Sequence, residues 1–392
     1  MRMRKATSAL VGLLLAGVAA TPAHAATIRS QQWHLDAMKA DEIWKITTGK
    51  GITVAVIDTG VNRIPELEGQ VLPGAVFPVG DAPGDKDNDY YGHGTGISAM
   101  IAATGKHPSG DGAFGLAPGV KILPIRVPDV LEGANTPLIV QGIRYAADSE
   151  AKVINISMGL TSKPEEDAER AAAVKYALSK GKLIFAAVGN YGDSTNELAY
   201  PAGTPGVVGV GAVDRNGEPT KESQHGPQVD MAAPGVDIVT ACKGKTGLCK
   251  THGTSDASAL ASASAALLWS AHPDWTNNQV LRVLLNNAGK PVDGSGRNDY
   301  VGYGVVRPSV ALKNPGDPGP ADVYPLPDLA AAAAAGKSPS ASAPADAKAP
   351  DAAAPKAEEK KSGSSLTWIA LGLGACVLIG GAVTVVVVRR NR

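Results

Sequence analysis

Five short runs of β-branched and aliphatic residues punctuate the middle of the chain: Ile52–Asp58, Val120–Val127, Lys152–Gly159, Lys182–Asn190 and Val207–Asp214. Each is apolar at most positions, the signature of parallel strands buried on both faces. Between and after them the period changes. Leu138–Glu150 repeats its apolar residues at helical spacing. Pro164–Lys180 follows a Ser162-x-x-Glu165 capping signal and stops at Gly181, and Asn277–Ala288 opens behind Thr276-x-x-Gln279 in the same way. Strands alternating with helices imply right-handed crossovers, and hence an α/β fold: a doubly wound parallel sheet with helices on both faces. In such sheets the site lies at the carboxyl ends of the strands.

The two ends of the chain carry other patterns. Arg2, Arg4 and Lys5, the apolar stretch from Ala6 to Ala20, and Ala23-His24-Ala25 have the layout of a secretory signal peptide over residues 1–25. That apolar stretch falls short of the roughly 20 residues a membrane helix needs. Leu366–Val388 meets the length, carries no charge and is followed by Arg389, Arg390 and Arg392. It reads as a single transmembrane helix with its arginine end, 389–392, in the cytoplasm. Asn314–Ser365 is rich in Pro, Ala, Ser, Lys and Glu. Such a composition buries too little apolar surface to offset ordering, so it reads as a disordered tether. The expected organisation is a signal peptide (1–25), one domain (26–313), a tether (314–365), a span (366–388) and a short tail.

Charge and cysteines narrow the functional classes. Lys and Arg number 37, as do Asp and Glu. A net charge of zero gives nothing to draw nucleic acid, and no residue pattern calls for a cofactor. Of three cysteines, Cys376 lies in the expected span. Cys242 and Cys249 sit close along an exported domain, which favours a loop disulfide over two free thiols; metal ligation lacks the accompanying His or Cys spacing.

Candidate chemistry stands at three places. Asp58 ends the first strand in V-A-V-I-D-T-G-V; alone it could merely cap a turn. His93 opens a helix in Y-G-H-G-T-G-I-S-A-M, where Gly92 and Gly94 leave its ring room; alone it could be a polar cap. Ser255 starts a small-residue helix in H-G-T-S-D-A-S-A-L-A-S-A-S; alone it could be an N-cap. Together they are more. A serine hydroxyl is a poor nucleophile at neutral pH and needs an imidazole to take its proton. The imidazole needs a buried carboxylate to fix its tautomer. Asp, His and Ser in this chain order match one of the known orders of that triad.

These motifs, with G-L-A-P-G-V-K-I-L-P-I-R-V, V-I-N-I-S-M-G, A-A-V-G-N, M-A-A-P-G-V-D-I and G-Y-G-V-V-R-P, resemble the subtilases from about Gln32 to Lys313. Within that family the signal peptide, tether and terminal span resemble the mycosins, proteases associated with type VII secretion in actinobacteria. The resemblance implies a subtilisin-like fold and a serine endopeptidase acting through an acyl-enzyme on polypeptide substrates. It implies a place in the cell membrane, with the peptidase domain extracellular, and a type VII secretion membrane complex as partner. A chiefly structural role in that complex is the alternative. It also implies that Asn190 donates its side-chain amide into an oxyanion hole, beside the Ser255 backbone N–H, and that Ser157, Met158 and Gly159 line the substrate cleft. Met158 could equally be plain core. Asn155, inside a strand, has no catalytic role in this reading.

The chain departs from the family where Ala259 replaces the usual proline and Ala263 the usual glycine after the nucleophile. Asp256 beside Ser255 is also unusual, and its charge would raise the pKa of His93 if it faced the cleft. His252 lies too near Ser255 along the chain to serve as its base. Asp85, Asp87 and Asp89 alternate as calcium ligands can, but Tyr90 and Gly96 stand where a calcium loop needs glycine and glutamate, so the segment reads as a solvated rim with no metal. Finally, too little chain precedes the first strand for a separate pro-domain. Gln31–Ile46 is expected to pack on the domain through Trp33, Leu35 and Trp44.

Overall fold

All five apolar runs form neighbouring strands of one sheet, each a residue or more shorter at its ends than the sequence suggests. The structure, a computed structural model, describes residues 27–78, 88–128, 135–161, 164–243 and 247–335. Strands β1 (Thr53–Asp58), β2 (Ala75–Val76), β3 (Lys121–Arg126), β4 (Val153–Ile156), β5 (Leu183–Ala187), β6 (Val208–Val213) and β7 (Met231–Pro234) lie in the order β2-β3-β1-β4-β5-β6-β7. Every pairing is parallel. Strands β8 (Ile238–Ala241) and β9 (Leu248–Thr251) make a separate antiparallel hairpin.

Three short helices precede the sheet: α1 (Ile28–Gln31), α2 (Trp33–Ala37) and α3 (Ala40–Ile43). Then come α4 (His93–Ala102), α5 (Thr136–Asp148), α6 (Pro164–Ser179), α7 (Thr254–Ala271), α8 (Asn277–Asn286), α9 (Pro308–Lys313) and α10 (Asp328–Ala335). Asn135 caps α5 by accepting from the Leu138 N–H, and Thr276 and Gln279 form the expected capping box of α8. Ser162 lies outside the described residues.

Alternation along the strands divides the interior into two layers. Val54 and Val56 face α4 and α7, whereas Ala55 and Ile57 face α5 and α6. Helix α7 is buried nearly all round, and its alanines at 257, 259, 261, 263, 265 and 266 are fully covered. Small side chains let this helix run close beneath the sheet, which brings its first turn, with Ser255, to the carboxyl ends of β4 and β5.

The N-terminal segment packs as expected. Leu35 is fully buried, Trp33 Nε1 donates to the Val236 carbonyl at 2.9 Å, and Trp44 Nε1 to that of Leu116 at 2.9 Å. The buried Gln32 bonds Phe114 and Val239. Ile46 is the exception, its side chain being exposed.

The first residues that composition assigns to a tether pack on the domain. Residues 314–335 lie on the domain: Arg282 donates to the carbonyls of Pro318, Pro320 and Val323, and Gln279 to that of Gly319. Leu326 is buried, and Asp328 accepts from the Gly206 N–H. A segment poor in apolar side chains is held here through its backbone carbonyls, an interaction that hydropathy does not register. The expected signal peptide, the rest of the expected tether, the expected span at 366–388 and Cys376 lie outside the described residues. Among the described residues no helix is long and apolar enough to cross a membrane.

Candidate active site

Asp58, the last residue of β1, is 1% exposed; its Oδ1 accepts from the Thr59 N–H at 2.8 Å and lies 2.7 Å from His93 Nδ1. A carboxylate can only accept, so Nδ1 carries a proton, and Nε2 is the nitrogen that acts as a base when the ring is neutral. Helix α4 places the ring by starting at His93. Gly94 is required there: a Cβ would sit 2.2 Å from the Gly60 carbonyl oxygen and 3.0 Å from Asp58 Oδ1.

Asp89 holds these two elements together, and here the rim reading fails. Far from being solvated, it is 0% exposed. Its carboxylate accepts from Thr59 Oγ1 and the Gly92 N–H at 2.8 Å each, and from the Thr95 N–H and Oγ1 at 2.8 and 2.6 Å. Asn62 clasps the Asp89 backbone from both sides. Helix α4 has no side-chain cap at Gly92, and Asp89 supplies one from further back. An aspartate six positions before a threonine at a helix start was the available signal. Asp85 and Asp87 lie outside the described residues, and among those residues no cluster could hold a metal ion.

Ser255 is half-buried in the first turn of α7. Its Oγ donates to the Ser157 carbonyl at 3.0 Å, and among the described residues this is its partner, not His93 Nε2. Ser157 Oγ in turn donates to the Ser255 carbonyl. Behind them lies a network that residue types alone did not disclose: Asn155 Nδ2 donates to Ser157 Oγ, and Ser258 and Ser262 donate to Asn155 Oδ1. It ties α7 to the end of β4, on the helix where the family's proline is missing.

Asn190 Oδ1 accepts from the Thr254 N–H and Oγ1 at 2.9 Å each. That commits its oxygen to the start of α7. The chain passes close by at Gly253 (φ 126°), where a Cβ would lie 2.9 Å from Asn190 Nδ2. The Ser255 N–H, in the first helical turn, has no acceptor inside the helix. Asn190 and Ser255, with His93, Ser157, Met158 and Gly159, line one cavity of about 680 Å³. Met158 is both lining and core, being 5% exposed within the α5–α6 layer. Glu222, Gln224 and Glu197 also line it. His252, also on the wall, places Nδ1 2.9 Å from a Glu222 oxygen, which engages it away from Ser255. A second cavity of about 770 Å³, lined by Val61, Ile64, Leu67, Val71, Pro73 and Pro108 among others, is mostly apolar and holds none of these groups.

Charges around His93 are unusual. Burial, the largest single influence, favours the neutral ring. Asp58, by charge and hydrogen bond, then Asp256 and Asp89, outweigh it and raise the pKa to about 9. Asp256 points inward, accepting from Thr251 Oγ1 at 2.7 Å, and burial lifts its pKa to about 6. Cys242 and Cys249 are bonded across the mouth of the β8–β9 hairpin with Cα atoms 5.8 Å apart, and β9 leads directly to His252 and Ser255.

A profile of the subtilase family matches residues 49–304. The chain belongs to that family. Among curated subtilases it is 33% identical to M-protease of Shouchella clausii over 266 residues, 68% of this chain and 65% of that one. It is 33% identical to mycosin-1 of Mycolicibacterium smegmatis over 331 residues, 71% of this chain and 72% of that one. The fold superposes on the crystal structure of MycP1 from Mycobacterium smegmatis with a TM-score of 0.66 and 30% identity, covering 77% of this chain and 89% of the other. It also superposes on a chain of an intact ESX-5 inner membrane complex, with a TM-score of 0.64, 28% identity, and coverage of 83% and 84%. This subtilase therefore resembles mycosins, components of type VII secretion.

Proposed function

We propose that the chain is a serine endopeptidase in which Asp58, His93 and Ser255 act as a catalytic triad. The observation that carries the reading is the 2.7 Å pairing of His93 with buried Asp58 in the same cleft as Ser255 and Asn190. Ser255 Oγ leaves the Ser157 carbonyl and turns to His93 Nε2. His93 takes its proton as Oγ attacks the scissile carbonyl carbon. The charge that develops on the carbonyl oxygen is met by Asn190 Nδ2 and the Ser255 N–H. One such donor is worth about 3–4 kcal/mol, a magnitude established on a related subtilisin. His93 gives the proton to the departing amine, and the acyl-enzyme is hydrolysed by the same steps with water as nucleophile.

The setting we propose is extracytoplasmic. The signal peptide exports the domain, the 366–388 segment anchors it in the cell membrane, and a type VII secretion membrane complex is its partner. Likeness to mycosin-1 and to a chain of the ESX-5 complex supports that placement. A second reading, in which the chain serves that complex chiefly as a structural subunit, is favoured by one observation: Ser255 Oγ rests on Ser157, not on His93. The two separate in cells. If proteolysis is the function, Ser255→Ala leaves an uncut substrate or blocks secretion. If scaffolding dominates, Ser255→Ala secretes normally while deletion of the whole chain does not. Ser255→Ala protein that still hydrolyses peptides would overturn the catalytic assignment.

A further inference from the structure

Ala259, four residues after Ser255, has the N–H that a proline would lack, and α7 is helical from Thr254 onward. No proline ring sets the angle of its first turns. Its alanines also give shallow ridges, which resist sliding along the sheet poorly. Directional bonds from the sheet are therefore what can fix its position. Asn155 supplies them. It is fully buried in β4, a polar residue beside Ile154 and Ile156. Its Oδ1 accepts from Ser258 Oγ at 2.9 Å and from Ser262 Oγ at 3.0 Å, two buried hydroxyls one turn apart on one face of α7. Its Nδ2 donates to Ser157 Oγ at 3.0 Å, and that hydroxyl donates in turn to the Ser255 carbonyl at 3.0 Å. The order of donors fixes the amide. Ser157 spends its proton on a carbonyl, which can only accept, so the amide nitrogen faces Ser157 and the amide oxygen faces α7.

Resting on the peptidase reading, we infer that Asn155 is a positioning residue for Ser255, holding the nucleophile's turn at two points. One arm reaches the Ser255 carbonyl through Ser157. The other grips the following turns of α7 through Ser258 and Ser262. Asn155 touches neither substrate nor base and acts only through these serines. The need for such a hold comes from the resting state. Ser255 Oγ lies on the Ser157 carbonyl and has to turn to His93 Nε2 before it attacks. That turn delivers the hydroxyl to the imidazole only if the Ser255 backbone stays fixed while χ1 rotates. A helix free to shift along β4 would carry Oγ off line, and a reacting atom misplaced by about 1 Å costs roughly 10² in rate. The cleft wall and the nucleophile are thus set by one buried amide, because Ser157 belongs to both.

The test is steady-state cleavage of a quenched fluorogenic peptide, picked from a random library by its hydrolysis by wild type. The full chain is used in detergent micelles, well below the melting temperature of each variant. Asn155→Leu keeps the size of the side chain and removes both arms. Ser258→Ala with Ser262→Ala removes only two hydroxyls, and it serves alone if Asn155→Leu does not fold. The expected result is a fall in kcat of about 10²-fold for Asn155→Leu, the scale of a misplaced reacting atom, with KM little changed. The serine pair loses severalfold in kcat, and adding it to Asn155→Leu costs nothing more, because both remove the same bonds. The midpoint of the pH profile of kcat/KM stays at its wild-type value while the plateau falls, since His93 and Asp58 are untouched. A merely structural role would lower the melting temperature and leave kcat unchanged below it. That result, or a loss confined to KM, overturns the inference while the peptidase reading stands. Wild-type protein that hydrolyses no peptide of the library overturns both.

Discussion

Asp89 offers the sharpest test of how the catalytic residues are held. Replacing it with alanine removes the acceptor for two backbone N–H groups, Gly92 and Thr95, and two hydroxyls, Thr59 and Thr95. Thr59 keeps a long alternative to Asp58 Oδ1 at 3.3 Å; the other three donors lose their partner. A buried donor without a partner costs about 1–3 kcal/mol. The sum overshoots, because the rim relaxes and water enters. A working figure is about 3–5 kcal/mol, the loss typical of breaking a buried charged network. In a domain of this size that lowers the melting temperature by roughly 10 °C. The asparagine variant retains one acceptor oxygen and loses less. Because the lost contacts lock the Asp58 turn to the start of α4, Ser255 labelling should slow in both variants even at temperatures where both are folded. Differential scanning fluorimetry and timed fluorophosphonate labelling of the full chain read the two effects. An Asp89→Ala protein that melts and labels like wild type would refute the argument.

Other expectations follow from single contacts. Asn190→Ala should lower kcat by about 10²–10³ with KM little changed, since its amide meets charge only in the transition state; a loss confined to KM would contradict this. Reducing Cys242–Cys249 should cost about 2–3 kcal/mol in the chain-entropy picture of so short a loop, and non-reduced peptide mapping should find the two linked. His34 is fully buried, neither ring nitrogen has a partner among the described residues, and burial, with Arg29 and Arg215 nearby, lowers its pKa from 6.5 to about 3. Protonation therefore favours the unfolded chain: this contribution is intact above pH 6.5 and is lost as pH falls toward 3, and His34→Gln should flatten that part of the stability profile measured by urea titration.

What could be read from the sequence was what local pattern encodes. Continuous apolar runs located β1, β3, β4, β5 and β6 within a few residues, because a strand buried on both faces leaves no other pattern. The short Ala75–Val76 strand and β7, Met-Ala-Ala-Pro, carry too little to announce themselves. Asp58, His93 and Ser255 stood out because glycines and small residues mark close approaches around each. Asp89 did not, since its partners come from the β1 turn and from α4, and only the folded chain brings Thr59 and Thr95 to one carboxylate. Composition assigned residues 318–323 to a tether because donors on α8, which a reading of that segment alone cannot include, hold it by its backbone. The direction of Asp256 turned on a single contact with Thr251, and the resting partner of Ser255 on a rotamer; neither leaves a trace in spacing.

The central claim is that Ser255 is a nucleophile activated by His93. The direct measurement is fluorophosphonate labelling of the purified full chain at pH 9, with the modified peptide mapped by mass spectrometry. The account predicts a single adduct on Ser255, lost in Ser255→Ala and strongly slowed in His93→Ala and Asp58→Asn, with each variant folded. A folded wild-type chain that takes up no label, or takes it up equally well without His93, would contradict it.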